Sequence, residues 1–141
     1  MRYRFHRTDN GSIGVTLDDD LPLLRDALED SLGTRPPRGA PQDGPSTYWL
    51  DEAINRLRGR MESGGQEPFA SGNTTYLQLR DGQVEARYDY DPIDSDIVDR
   101  VEPAGLLDLL TEWRRLVVEA SPEAARRMPP PRPARPMPPS P

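Results

Sequence analysis

Residues Thr74-Thr-Tyr-Leu-Gln-Leu-Arg-Asp-Gly-Gln-Val-Glu-Ala-Arg-Tyr-Asp-Tyr90 carry the strongest structural signal in the sequence. Asp81-Gly82 separates two alternating runs by the two residues that a type I′ turn requires. Pairing Arg80 with Gln83 then places the apolar side chains of both strands on one face, and Gln78 opposite Glu85 on the other. A shift by one residue would mix the two faces, so the sequence predicts both this hairpin and its register.

A second hairpin is predicted at the start of the chain. A three-residue Asp9-Asn10-Gly11 loop places Phe5 opposite Val15 and Tyr3 opposite Leu17, which keeps the apolar residues together. Gly11 suits the left-handed conformation that the last position of such a loop needs.

Three helices are predicted from apolar spacing and end signals. The first follows Asp20 as its cap and ends at Gly33, and the second covers residues 47–61. The third begins at Pro103, and its apolar face is formed by Leu106, Leu109, Leu110, Trp113, Leu116 and Val117.

The element order is therefore ββ-α-α-ββ-α, which predicts an α+β fold. The simplest arrangement is an antiparallel sheet formed by the two hairpins, with the helices packed on one face. We expect a single domain over residues 1–120 with a mobile, Pro/Gly-rich loop at 34–45. Residues 121–141 contain nine of the 17 prolines and predict a disordered Arg/Pro-rich tail.

The composition excludes several classes of chemistry. The 141 residues include no cysteine, so disulfides, thiolate metal sites and cysteine nucleophiles are excluded. All 18 basic residues are arginine, which excludes lysine chemistry, and the one histidine, His6, is placed on the outward face of its strand. No sequence motif of nucleophilic catalysis or phosphate binding occurs, so we expect a non-enzymatic protein without a cofactor. No apolar run could cross a membrane and Met1–Phe5 lacks the features of a signal peptide, so we expect a soluble, cytoplasmic protein without membrane contact.

Charge points to the class of partner. Residues 1–120 carry 14 arginines and 23 carboxylates, a net charge of −9, which argues against nucleic acid and favours a basic protein. The densest acidic segment is 81–102, with eight carboxylates and two arginines. Its spacing departs from the calcium-loop pattern, with no glycine at the sixth position from Asp89 and no glutamate at the twelfth, so we predict no metal site. Tyr88 and Tyr90 fall on the apolar side of their strand and are core candidates.

The predicted partner-binding residues are therefore Asp89, Asp91, Asp94, Asp96, Asp99, Tyr76 and Glu85. Carboxylates would meet basic groups, and tyrosine would supply rigid contact area. The alternative interpretation is a solvated acidic loop that keeps the protein soluble.

Two segments together resemble a known type of protein. The hairpin and acidic link Gly72–Asp91, followed by the helix Pro103-Ala-Gly-Leu-Leu-Asp-Leu-Leu-Thr-Glu-Trp-Arg-Arg115, resemble parts of small immunity proteins from bacterial polymorphic toxin systems. The resemblance covers about a third of the chain. It implies a cytoplasmic inhibitor that binds a cognate toxin domain and blocks its function.

Two other functions stay open at this point. The tail contains PxxP spacing, so the chain could be a scaffold or secretion-associated adaptor that presents its Arg/Pro-rich tail to a partner. An enzyme using clustered carboxylates would need a pocket with paired carboxylates, which sequence alone does not reveal. The strand order of the sheet and the oligomeric state are also left open by the sequence.

Overall fold

The computed structural model describes residues 1–130, and residues 131–141 of the predicted tail lie outside the described part. The elements are β1 (Tyr3–Arg7), β2 (Ile13–Leu17), α1 (Pro22–Ala27), a π-helical turn (Leu28–Leu32), α2 (Tyr48–Ser63), β3 (Pro68–Ser71), β4 (Thr75–Arg80), β5 (Gln83–Tyr88), β6 (Asp99–Val101), α3 (Pro103–Ala120) and a 3-10 turn (Pro122–Arg126). No helix in this part of the chain is long and apolar enough to span a membrane.

Both predicted hairpins form in the predicted registers. In β4–β5, Arg80 pairs with Gln83, and Asp81 and Gly82 both have positive φ angles of 52° and 78°, as a type I′ turn requires. In β1–β2, Phe5 pairs with Val15, and Gly11 has a φ angle of 76°. Turn chemistry and alternation were therefore sufficient to determine both registers.

The α+β class is confirmed, but the two hairpins do not share one sheet. β1 and β2 form a separate two-stranded sheet, and β4–β5 lies at the centre of an antiparallel sheet with the order β3-β4-β5-β6. The small sheet is attached to α3 instead, where the indole Nε1–H of Trp113 donates a hydrogen bond to Ile13 O at 2.8 Å. The strands β3 and β6 are not predicted by the sequence pattern, because strands of four and three residues are too short for a clear alternation.

The helices cover the apolar face of the four-stranded sheet. Leu77 and Val84 on that face are fully buried, and so are Leu50 of α2 and Leu109 of α3. All belong to one continuous hydrophobic core that includes α1. Apolar burial on this single face is what holds the helices and the sheet together.

The start of α1 is stabilised by a residue distant in sequence. Asp99 Oδ2, in β6, accepts hydrogen bonds from the amides of Leu23 and Leu24 at 2.7 and 3.1 Å. Asp20, the predicted cap, makes no such bond, and the N-cap position is Leu21. Asp99 therefore satisfies the free amides of α1 and ties β6 to that helix.

Replacing Asp99 by alanine is expected to lower the free energy of unfolding by about 1–2 kcal/mol, the usual cost of losing a helix cap. The measurement is urea denaturation followed by circular dichroism. Asp20→Ala is the matched control and should change the free energy by less than about 0.5 kcal/mol. Equal effects of the two substitutions would contradict the assignment of the cap to Asp99.

The domain extends beyond its predicted boundary at residue 120. The 3-10 turn places Ala124 in the core with no exposed surface, and Thr47 N donates to Ala124 O at 3.2 Å. Ser46 Oγ donates to Arg127 O at 2.6 Å. The sequence predicts a disordered tail from residue 121 because nine prolines follow residue 120, but only Pro122 of these lies within 121–127, and the structure shows that this segment packs on the domain.

The predicted loop at 34–45 has no helix or strand, as expected. It nevertheless contacts the chain end, since Arg127 Nε donates to Asp43 Oδ1 at 3.0 Å and Arg127 Nη1 to Pro45 O at 3.1 Å. Ala40 is buried. The mobility of this loop stays a prediction.

Candidate protein-binding surface

The acidic loop, residues 89–98, connects β5 to β6 and lies across the outer face of the sheet. Arg87 Nη1 donates to Ser95 O at 3.0 Å, and Arg80 Nη1 reaches Ile93 O at 3.4 Å. At its start, Asp89 N donates to Thr74 O at 2.8 Å. The loop is thus held by two strands rather than only by its own ends.

A buried polar network lies on the same outer face. Arg87 is only 2% exposed and Glu85 only 3%. Glu85 Oε1 accepts from Arg87 Nε at 3.2 Å and from Gln78 Nε2 at 3.1 Å, while Glu85 Oε2 accepts from Arg100 Nε at 3.1 Å. Burial alone would raise the pKa of Glu85, but these hydrogen bonds and the nearby arginine charge lower it below its ordinary value. Glu85 is therefore an ionised structural group beneath the surface.

Three large apolar side chains of the acidic loop face solvent. Tyr90 is 71% exposed, Ile93 54% and Ile97 50%. Isolated exposed apolar residues are common, but three exposed ones within eight consecutive residues are unusual for a polar loop and are a feature that binding to a partner would explain. The prediction that Tyr90 belongs to the core is wrong, because β5 ends at Tyr88 and the chain turns there, with Asp91 N bonded to Tyr88 O.

The orientation of Tyr90 is fixed by its neighbour. The rings of Tyr88 and Tyr90 are stacked, with centroids 5.1 Å apart and an interplanar angle of 10°. Tyr88 Oη in turn donates to Asp26 Oδ2 at 2.7 Å, a bond that raises the pKa of Tyr88. An aromatic side chain held in this way loses little entropy when it is covered by a partner.

Four carboxylates alternate with these apolar residues along the acidic loop. Asp89, Asp94 and Asp96 are exposed, and in the described residues none of the three forms an ion pair. Asp91 is half-buried, and its Oδ2 is buried without a hydrogen-bond partner among residues 1–130. A buried carboxylate oxygen without a hydrogen bond costs free energy.

The predicted site residues thus separate into two groups. Asp89, Asp91, Asp94 and Asp96 are brought together on the acidic loop. The other three are placed elsewhere: Glu85 is buried in the network, Asp99 caps α1, and Tyr76 is a half-buried residue of β4. The prediction grouped six carboxylates by charge density and added Tyr76 as an aromatic contact, but charge density does not distinguish an exposed carboxylate from one used inside the fold.

Sequence reasoning did not find Ile93 and Ile97. The sequence does contain a sign of them, two apolar residues, four apart, within an otherwise polar connection.

No family model matches this sequence, and no curated protein and no solved structure matches it either.

Proposed function

We propose that the protein is a non-enzymatic inhibitor that binds a basic protein through its acidic loop, as an immunity protein binds its cognate toxin domain. The observation that carries this proposal is the placement of Tyr90, Ile93 and Ile97, all exposed, among four aspartates. A cytoplasmic location is part of the proposal, since such an inhibitor acts where it protects the cell that makes the toxin.

The side chains of the acidic loop are more typical of a protein-binding site than of a loop that only keeps the protein soluble. Binding energy at protein interfaces is concentrated in a few aromatic and apolar side chains that become fully covered, while charged groups surround them. Tyr90, held by its stack on Tyr88, has the character of such an anchor. A loop whose only role is solubility has no need for three exposed apolar residues.

The charge of the loop favours a basic partner. Residues 89–98 contain four aspartates and no arginine, within a domain that is itself acidic. A cluster of carboxylates speeds the encounter with a basic surface and makes the association rate dependent on salt.

The first test is a pull-down from the native host at low salt, read by mass spectrometry. We expect a basic toxin domain to be captured at equal stoichiometry by the full chain and by a chain ending at Pro130, because both keep the acidic loop. Capture by the full chain alone would instead support the adaptor that uses its Arg/Pro-rich tail.

With the captured partner, Tyr90→Ala is expected to weaken binding by about 2 kcal/mol, or about thirtyfold in Kd, mainly through faster dissociation. The double variant Asp94→Asn/Asp96→Asn should instead slow association, and the difference should disappear at high salt. Surface plasmon resonance separates the two rates. Glu62→Gln/Asp108→Gln removes the same charge from exposed residues of two helices and is the matched control. If this control slows association as much as the loop variant does, the binding surface is not the acidic loop.

A further inference from the structure

A cleft of about 530 Å³ lies apart from the acidic loop, between the π-helical turn, the loop after it, the first turn of α2 and the β3–β4 connection. Its exposed lining includes Arg35, Arg38 and Trp49, and its more buried lining includes Asp30 and Ser31. The volume is within the range of protein ligand sites.

The walls of the cleft are fixed to one another. Asp30 accepts hydrogen bonds from the amides of Asn73, Thr74 and Thr75 at 3.1, 3.0 and 2.9 Å. Its Oδ2 also accepts from Thr75 Oγ1 at 2.7 Å. The contact is so close that a Cβ on Gly72 would lie 2.3 Å from Asp30 O. The π-helical turn, a geometry often associated with function, is therefore held rigidly against the β3–β4 connection.

Two arginines on the exposed side of the cleft have no internal partner. Within residues 1–130, neither Arg35 nor Arg38 forms an ion pair or a side-chain hydrogen bond, whereas most other arginines of this part do. A guanidinium presents several donors in a planar fork that matches a carboxylate or a phosphate. These two side chains make a local basic site on a domain that is otherwise acidic.

An exposed indole lies beside them. Trp49 is 37% exposed, and its ring packs edge-to-face on Tyr48 with centroids 4.9 Å apart. Pro36 and Pro37 complete the apolar part of the lining. Indole and proline rings of this kind form grooves that accept the apolar or proline residues of an extended peptide.

We propose that this cleft binds an acidic peptide segment of a partner protein, with carboxylates on Arg35 and Arg38 and an adjacent apolar ring on Trp49. The inference does not depend on the proposed function, because the cleft shares no residue with the acidic loop.

Asp30 explains why a peptide is favoured over a phosphate compound. Burial acts to raise the pKa of Asp30, but its hydrogen bonds outweigh that effect and lower it, so the carboxylate stays charged within the lining. A doubly charged phosphate would be repelled by this carboxylate. A peptide spreads its charge, with side-chain carboxylates at the arginines and neutral backbone amides toward Asp30.

The test uses the peptide acetyl-Glu-Pro-Glu-Phe-Glu-Pro-amide, titrated into the full chain and followed by nitrogen-proton NMR. The protein has two tryptophans, so two indole signals are expected. The signal of Trp49 should shift, and that of Trp113, which is buried and bonded to Ile13 O, should not. Arg35→Gln/Arg38→Gln should weaken binding by about tenfold or more, because charge-assisted hydrogen bonds are lost.

The matched control is Arg58→Gln, which removes an exposed arginine of α2 that lies outside the cleft and should leave the affinity unchanged. The unchanged Trp113 signal verifies that each variant is folded. A glutamine version of the peptide should bind at least about tenfold more weakly. The proposal is overturned if Trp49 does not respond, if the double variant binds as well as the wild type, or if adenosine monophosphate binds more tightly than the peptide.

Discussion

Replacing Arg87 by alanine should lower the free energy of unfolding by about 3–5 kcal/mol, which is the usual cost of removing one partner from a buried ion pair. Arg87 is 2% exposed and bonds to Glu85 and to Ser95 O in the acidic loop. Its loss leaves the Glu85 carboxylate with less compensation in a place that water does not reach. The measurement is urea denaturation at neutral pH.

The pH dependence of this loss distinguishes an electrostatic cause from a simple cavity. In the wild type the pKa of Glu85 lies below its ordinary value, so Glu85 contributes stability that is present above the ordinary pKa and is lost as the pH falls through the lowered one. In Arg87→Ala that lowering is reduced, and a protonated Glu85 no longer needs a cation. The difference between wild type and variant should therefore shrink in acid.

Two further variants control the prediction. Adding Glu85→Gln to Arg87→Ala should restore part of the lost stability, because it removes a buried carboxylate whose only remaining cation is the exposed Arg100. Arg58→Ala, on an exposed part of α2, should change the free energy of unfolding by less than about 0.5 kcal/mol. A loss in Arg87→Ala that stays constant between neutral and acid pH would refute the role given to Glu85.

Local chemistry predicted the elements that depend on neighbours in sequence. Asp81-Gly82 and Gly11 determined two turns, and alternation then fixed both registers. The placement of the hairpins in separate sheets depends on contacts between distant residues, such as the bond from Trp113 to Ile13 O. The capping of α1 by Asp99 is of the same kind, since 75 residues separate Asp99 from Leu24.

The candidate surface could also be predicted only in part, because burial of its residues depends on contacts between segments that are distant in sequence. The density of carboxylates located the acidic loop, but the alternation of β5 could not reveal that its polar face is covered. Glu85 and Arg87 are polar and yet buried, because the acidic loop crosses that face and the network supplies their hydrogen bonds. Conversely, Ile93 and Ile97 are apolar and exposed. The polarity of a residue predicts its exposure only on average. Exposed apolar residues are an exception that is typical of interfaces.

Ending the chain after Ala120 should lower the free energy of unfolding by about 3–5 kcal/mol relative to a chain ending after Pro130. Ser46 and Thr47, two buried residues directly before α2, each lose a hydrogen bond. Thr47 N is bonded to Ala124 O, and Ser46 Oγ is bonded to Arg127 O. Each lost hydrogen bond costs about 0.5–1.5 kcal/mol, and the apolar contacts of Ala124 and the bonds of Arg127 to Asp43 and Pro45 O are lost as well. Calorimetry should show a fall in Tm of roughly 10–20 °C.

The reference chain ending after Pro130 keeps all of these contacts, so the comparison isolates residues 121–130. A substitution in the full chain makes the test independent of whether the shorter chain folds. Ala124→Asp inserts a charge where Ala124 has no exposed surface, and it should destabilise the domain by a similar amount, whereas Ala125→Asp, one position along the same 3-10 turn and half-buried, should cost much less. If the chain ending after Ala120 unfolds at the temperature of the longer one, the 3-10 turn is not part of the folded domain, and the boundary at residue 120 is correct after all.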